Sequence, residues 1–343
     1  MAHTFSSLGR CFTALGALLL ASGPADAGPS IRLAYFPNVT HAAALVGVGR
    51  GTFQQRLGNA AALETRTFSA GPALIEALFA GEVDVGYVGP SPAVNGYVKS
   101  KGQALRVVAG ASSGGALFVV RPAAGIHQPA DLTGKRFATP QLGGTQDVAL
   151  RHYLQQHGLA PADRGGTVQI IPTQPADAFT LFMRGEIDGA WMAEPWVSRL
   201  LVEGDGVVFV DERDQWPGRR FATTVVVART AFLDAHPEVV RRMLEAHVES
   251  VDWINENPDE AAQIVNAEVE RITSKGLPAA VVARALRNTD IVTEPLPETI
   301  QKAADAAFAL GFLGDQKPDL TGLYALAPLG EVLARHQRRP GQY

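Results

Sequence analysis

Two segments of the chain follow one pattern. Residues 72–90 read PALIEALFAGEVDVGYVGP, and residues 175–195 read PADAFTLFMRGEIDGAWMAEP. Each begins with a proline suited to the first turn of a helix and continues as an apolar helical run. Each run stops at a glycine, Gly81 or Gly185, fit for a left-handed C-cap. A Glu-x-Asp follows, then a short strand, then a second proline that opens the next helix. Two helix–strand–helix units of this kind predict two similar α/β lobes. Two lobes leave a cleft between them, and a cleft is where a ligand binds.

The chain has 343 residues, 46% hydrophobic and 19% charged, ample for two cores. Its formal net charge of −4 gives no electrostatic reason to expect nucleic acid or an anionic membrane as partner. The first residues carry Arg10, the apolar stretch CFTALGALLLAS, then Ala25-Asp26-Ala27. That order reads as a secretory signal peptide over 1–27, cleaved after Ala27. The single cysteine, Cys11, lies inside it, so the mature chain is expected to have neither disulfide nor thiol chemistry. No later stretch approaches the ~20 uninterrupted apolar residues of a spanning helix. The expected product is a soluble protein, periplasmic in a bacterium with two membranes.

Strands are expected at 31–36, 63–68, 105–111, 116–121, 136–139, 168–171, 207–210 and 223–228, alternating with helices. A helix is expected from His41 to Leu57. Its Gly47-Val48-Gly49-Arg50-Gly51 has the wrong spacing for a dinucleotide loop, and its glycines fall within the helix. Ser112-Ser113-Gly114-Gly115 reads as a crossing between lobes, because a hinge needs residues that tolerate changes in φ and ψ. From Ala231 onward the pattern is helical, with prolines 237, 258, 278 and 297 at helix starts, and this third is expected to pack on the first lobe. The fold class is therefore α/β with two lobes, each an open, mostly parallel sheet flanked by helices. Lobe 1 is assigned to 28–112 and 229–343, lobe 2 to 113–228.

In open α/β sheets the ligand lies beyond the carboxyl ends of the strands, where helix N-termini point. In the first lobe this rule selects Tyr35, Asn38, His41, Ser69, Gly89, Pro90 and Ser91. In the second it selects Ser112, Ser113, Gly143, Gly144, Thr145, Trp191, Glu194 and Trp196. The set is rich in hydroxyls, glycine amides and helix starts, with no carboxylate cluster and no arginine fork. Such a set fits a small oxyanion better than a cation, and Trp191 and Trp196 would wall the group that carries it. Each residue also has a plain structural role open to it. Ser69 and Thr145 would serve as caps, Tyr35 and Trp191 as core, and His41 as a packing residue. Glu194 would either cap the helix after Pro195 or meet an amino group on the ligand.

The stretches RLAYFPNVTHAAALVG, ALIEALFAGEVDVGYVGPSPAV, TPQLGGT, GEIDGAWMAEPWVSRL and DLTGLYALAPLGEVLA resemble solute-binding proteins of bacterial ABC importers, in the aliphatic sulfonate, nitrate and taurine group. The resemblance runs nearly the whole length after residue 27. It implies a two-lobed periplasmic binding protein fold (type II) with a hinge. The implied role is a receptor that captures a small anion and delivers it to permease subunits driven by an ATPase. Aliphatic sulfonate or taurine is the favoured solute, with nitrate, bicarbonate or a thiamine-precursor aminopyrimidine as alternatives; Trp191 with Glu194 would suit the last. The family's ligand loops fall on the positions the sheet rule selects, but no arginine lies within them.

A thiamine-pyrimidine synthase, an enzyme on a related fold, would need a committed histidine, for which only His41 is available. It would also need a cytosolic address, which the signal peptide contradicts. A hydrolase is disfavoured because Gly89-Pro90-Ser91-Pro92 lacks the second glycine of a nucleophile elbow. A metal receptor is disfavoured because His152 and His157, five apart, fall on different helix faces. No cofactor is expected, and the receptor is expected to be a monomer.

Overall fold

The computed structural model describes residues 1–3 and 29–336. The expected signal peptide lies almost wholly outside the described residues. Among these, no helix is long and apolar enough to cross a membrane.

The chain opens with β1 (Ser30–Tyr35), a 3-10 turn at Val39–His41, α1 (Ala42–Gly49), α2 (Thr52–Leu57), β2 (Ala62–Thr67), α3 (Gly71–Phe79), β3 (Val85–Val88), α4 (Pro90–Lys99) and β4 (Leu105–Gly114). It crosses into β5 (Ala116–Val120), β6 (Arg136–Thr139), α5 (Thr145–Gln156), β7 (Gln169–Pro172), α6 (Pro175–Met183), β8 (Gly189–Ala193), α7 (Trp196–Val202) and β9 (Val207–Asp211). It then returns through β10 (Ala222–Arg229), α8 (Thr230–Ala235), α9 (Pro237–Glu256), α10 (Pro258–Thr273), α11 (Ala279–Arg287), β11 (Thr289–Ile291), α12 (Pro297–Ala309) and α13 (Ala327–His336).

Two sheets form, ordered β11-β4-β10-β3-β1-β2 and β7-β6-β8-β5-β9. Their centres are built alike. In the first, β1 lies parallel between β2 and β3, and β10 runs antiparallel to β3. In the second, β6 lies parallel between β7 and β8, and β5 runs antiparallel to β8. Each lobe therefore receives one antiparallel strand just after the chain crosses from the other. The sheets are mixed where mostly parallel ones were expected, and these crossing strands are the reason.

The duplicated Glu-x-Asp explains why the copies fold alike. The Asp84 carboxylate accepts the Arg32 amide on β1 at 3.0 Å, and the Asp188 carboxylate accepts the Arg136 amide on β6 at 2.8 Å. The backbone amides of Asp84 and Asp188 return hydrogen bonds to the carbonyls of Arg32 and Arg136. Their carbonyls in turn accept the amides of Arg229 and Arg121, on the antiparallel side. Asp84 is fully buried and also holds the guanidinium groups of Arg32 and Arg229 at 2.8 and 2.7 Å.

Three expectations need correction. The strand expected to close lobe 2, 223–228, is β10, which pairs with β3 and β4 in the first sheet. By sheet membership the return crossing lies between Asp211 and Ala222. Ser112 and Ser113 are not in a break but in β4, paired with β10 and β11, and the reversal falls to Gly114 and Gly115 at φ 73° and 69°. The expected long first helix is divided into α1 and α2 at Gly51, φ 72°. As expected, α9, α10 and α13 pack on the first lobe, sharing a core with β1 and α1. β11 is a short strand within that helical third whose pairing with β4 the residue pattern did not signal.

The Asp84 carboxylate holds three groups on two strands, the Arg32 amide and the guanidiniums of Arg32 and Arg229, whereas the Asp188 carboxylate holds one amide. Asp84→Ala should cost about 2–4 kcal/mol by leaving two half-buried guanidiniums and a strand amide without their acceptor, and Asp188→Ala about 1–2 kcal/mol. Urea unfolding checks both; equal losses would contradict the assignment of Asp84 as the larger anchor.

Candidate functional site

The carboxyl edges of the two sheets face each other across a cleft. The first lobe supplies Phe36, Asn38, Thr40 and His41 after β1, Ser69, Ala70 and Gly71 at the start of α3, and Gly89 and Pro92 at α4. The second supplies Pro140, Gly144, Thr145 and Gln146 at α5, Pro175 at α6, and Met192, Ala193 and Trp196 after β8. Thr223 and Thr224 at the start of β10 complete the wall. None of these is Asp, Glu, Lys or Arg.

The lobes are closed upon one another. A Cβ on Gly89 would run into the Thr145 side chain, so the glycine lets α5 of one lobe sit close against the start of α4 in the other. The free space is about 40 Å³, room for a group of a few heavy atoms.

What the cleft offers is mainly donors. α3, α5 and α6 begin at this edge without a side-chain cap, leaving first-turn amides and the positive dipole end toward the cavity, whereas Pro90 and Pro92 remove two amides from the first turn of α4. Thr145 Oγ1 is buried with no partner. His41 is buried, and burial lowers its pKa to about 3, so it is neutral at ordinary pH. Its Nδ1 accepts the Phe36 amide at 3.2 Å, which assigns the proton to Nε2 as a donor. The ring stacks on Phe36 with centroids 4.3 Å apart. Behind α5, the buried Asp147 accepts from Thr139, the Gly143 amide and Arg151, which fixes the 140–145 loop.

Of the residues selected from sequence, Asn38, His41, Ser69, Gly89, Gly144, Thr145 and Trp196 line this cleft. Pro90, Ser91 and Trp191 line an adjoining chamber, which Thr145 also borders. Tyr35 lies elsewhere: strand alternation sends Ile31, Leu33 and Tyr35 into the core beneath α9 and α10, where its hydroxyl accepts from Arg271 at 3.4 Å. Phe36, one residue on, takes the cleft position. Ser112 and Ser113 are buried in β4, and Ser113 Oγ accepts the Phe221 amide. Gly143 forms the turn before α5 at φ 73°.

Glu194 is fully buried and committed. It accepts from Ser198 N and Oγ at 3.1 and 2.9 Å, near the start of α7, and from Asn288 Nδ2 at 3.0 Å, in the turn between α11 and β11. It caps a helix and ties the lobes, and burial pushes its carboxyl up. Trp191 pairs with a different acid: its Nε1 donates to Glu212 at 2.7 Å. Thr223 and Thr224 escaped the sheet rule because β10 is antiparallel, so its first residues, not its last, reach the ligand edge. Thr40, Gln146 and Met192 are neighbours of selected positions.

Residues 25–268 match the family model described as the NMT1-like family. The chain belongs to that family. The taurine-binding periplasmic protein of Escherichia coli (strain K12) is 31% identical over 218 residues, 63% of this chain. That match spans 64% of the relative, less than two thirds of its length. The alkanesulfonate-binding protein of Xanthomonas axonopodis pv. citri, solved bound to MOPS, superposes with TM-score 0.73 at 20% identity, covering 88% of this chain and 100% of that one. The nitrate-binding protein of Synechocystis PCC 6803 gives TM-score 0.73 at 16% identity, covering 91% and 90%. At these identities the structural likenesses establish that this NMT1-like chain has the two-lobed periplasmic binding protein fold.

Glu212 offers a check on the interior beside the cleft. Burial pushes its pKa up to about 7, although the indoles of Trp191 and Trp216 donate to it. A carboxyl raised on folding loses stability as pH climbs from its unfolded value through the folded one. Between pH 4 and pH 8, the stability of Glu212→Gln relative to wild type should rise by about 3 kcal/mol. Thermal melts across that range read it; a pH-independent difference would contradict the burial of this carboxyl.

Proposed function

We propose that this chain is the extracytoplasmic receptor of an ABC importer, capturing a small oxyanion between its lobes and delivering it to the permease. An aliphatic sulfonate or taurine is the favoured solute. The observation that carries the reading is a closed cleft without charged side chains, at which uncapped helix starts from both lobes converge and which the His41 ring, with its proton on Nε2, lines. Preformed amides and dipoles stabilise an anion without a counter-charge, and a tetrahedral or planar head fits the small space. The names of the relatives point to the same class of solute. Trp191 pairs with Glu212 and Glu194 with Ser198 and Asn288, so the residues that suited an aminopyrimidine are separately occupied.

The proposed role is binding, with closure as its output: solute that contacts both lobes favours the closed population, the form a permease would recognise. Delivery from the periplasm follows from the expected leader sequence. The tight space leaves nitrate or bicarbonate as a second solute class for the same cleft.

Calorimetry with taurine, methanesulfonate, nitrate and bicarbonate, against choline as a cationic control, tests the reading. At about 100 times its Kd a true solute adds roughly 2.7 kcal/mol of stability. Thr145→Ala should weaken the bound oxyanion about tenfold to a hundredfold, since it removes one donor to a charged acceptor. It should leave the ligand-free melting point unchanged, because Thr145 Oγ1 has no partner to lose. Binding of choline alone, or undiminished affinity in Thr145→Ala, would contradict the proposal.

A further inference from the structure

Beside the cleft lies a larger cavity of about 450 Å³, and the two share walls. On β8, Met192 lines the cleft and Trp191 the chamber; on α4, Gly89 and Ser91 divide in the same way. The segment entering β10 gives Phe221 to the chamber and Thr223 to the cleft, and Thr145 borders both. Three elements thus pass from one cavity to the next within one or two residues, with the Thr145 side chain against Gly89 at the boundary.

The chamber has an aromatic wall, is lined elsewhere by Glu212, Lys302 and Asp305, and carries unsatisfied polar groups. Trp216 and Phe221 stack with ring planes 11° apart, and Trp191 is held from the other side by Phe118. Ser91 is only 3% exposed, and its Oγ has no partner; His152 Nδ1 is likewise buried and unpartnered. Buried hydroxyls without partners are costly unless a ligand supplies the missing bond. An apolar cavity of about 150 Å³ is enough to take benzene. The chamber therefore has room for a ring with a polar substituent, whereas a two-carbon arm would leave most of it unfilled.

We propose that the Thr145 side chain turns away from Gly89 on binding, that the chamber then receives the arm of the solute whose anionic head lies in the cleft, and that this arm is aromatic, so that the receptor selects aryl sulfonates. This rests on the oxyanion reading above and departs from it in one point, the arm being aromatic where an aliphatic one was favoured. The head meets amides at the helix starts, the ring lies among Trp191, Trp216 and Phe221, and a polar substituent on the ring reaches Ser91 Oγ.

The test is calorimetry with methanesulfonate, taurine, benzenesulfonate and 4-hydroxybenzenesulfonate on wild type, Ala149→Trp and Trp216→Ala. Ala149 lines the chamber only, and tryptophan there narrows it. In wild type, benzenesulfonate should bind about tenfold or more tighter than methanesulfonate, from the apolar area buried. Ala149→Trp should reduce that gain severalfold while holding methanesulfonate within about twofold of wild type. If that variant does not fold, Trp216→Ala should reduce the same gain. Taurine binding tighter than benzenesulfonate, or an aryl gain that survives both variants, would overturn the aromatic arm while leaving the oxyanion cleft standing. Binding of no sulfonate at all would overturn both.

Discussion

One aspartate in each lobe holds the sheet centre together, and the geometry of the cleft follows from that pairing. Asp84 and Asp188 sit at the start of the third parallel strand of their lobes and fix it to the first through side chain and backbone together. Their carbonyls fix the strand that arrives from the other lobe. With three strands registered at one edge, the helix starts that follow them at the other edge are placed in the same way in both lobes. Two such edges facing each other bring uncapped helix starts to one small space. The chemistry of the cleft is in this sense a consequence of backbone register, with side chains adding His41 and Thr145.

The proposed reading has the cleft stabilise an anion without any charged side chain in its lining. Amide donors cost little to preorganise when the helices behind them are packed, and they do not change with pH. The buried histidines follow the same logic. His41 is neutral and spends Nδ1 on the Phe36 amide. His247, with its pKa lowered by burial to about 4, donates from Nε2 to the Gly110 carbonyl, which leaves Nδ1 to accept the Tyr87 hydroxyl at 2.8 Å. That chain joins α9 to β3 and β4, so the C-terminal helices are bonded to the sheet that carries the cleft. The acidic groups near the cleft are occupied: Asp147 by Arg151, and Glu194 by Ser198 and Asn288. Their charge is taken up within the scaffold and is not offered to the solute.

The repeat was legible because helix periodicity, proline starts and glycine stops are local signals, and they placed α3, β3, α4, α6 and β8 closely. The cleft residues at helix starts, Ser69, Gly89, Gly144 and Thr145, were legible for the same reason. What stayed hidden was relative strand direction. Nothing local to Thr223-Thr224 says that β10 runs antiparallel in the first sheet, so its start was assigned to the wrong lobe and away from the site. Tyr35 and Phe36 differ only in strand parity, which depends on where the strand joins the sheet. The roles of Glu194 and Glu212 depend on partners distant in sequence, Asn288 in one case and Trp191 in the other.

The most direct measurement is a crystal structure of the protein with methanesulfonate, the smallest sulfonate head. The account predicts sulfonyl oxygens within hydrogen-bond distance of amides in the first turns of α3 and α5 and of His41 Nε2, with both lobes in contact with one ion. A sulfonate bound to a lysine or arginine side chain, or held by one lobe alone, would contradict it.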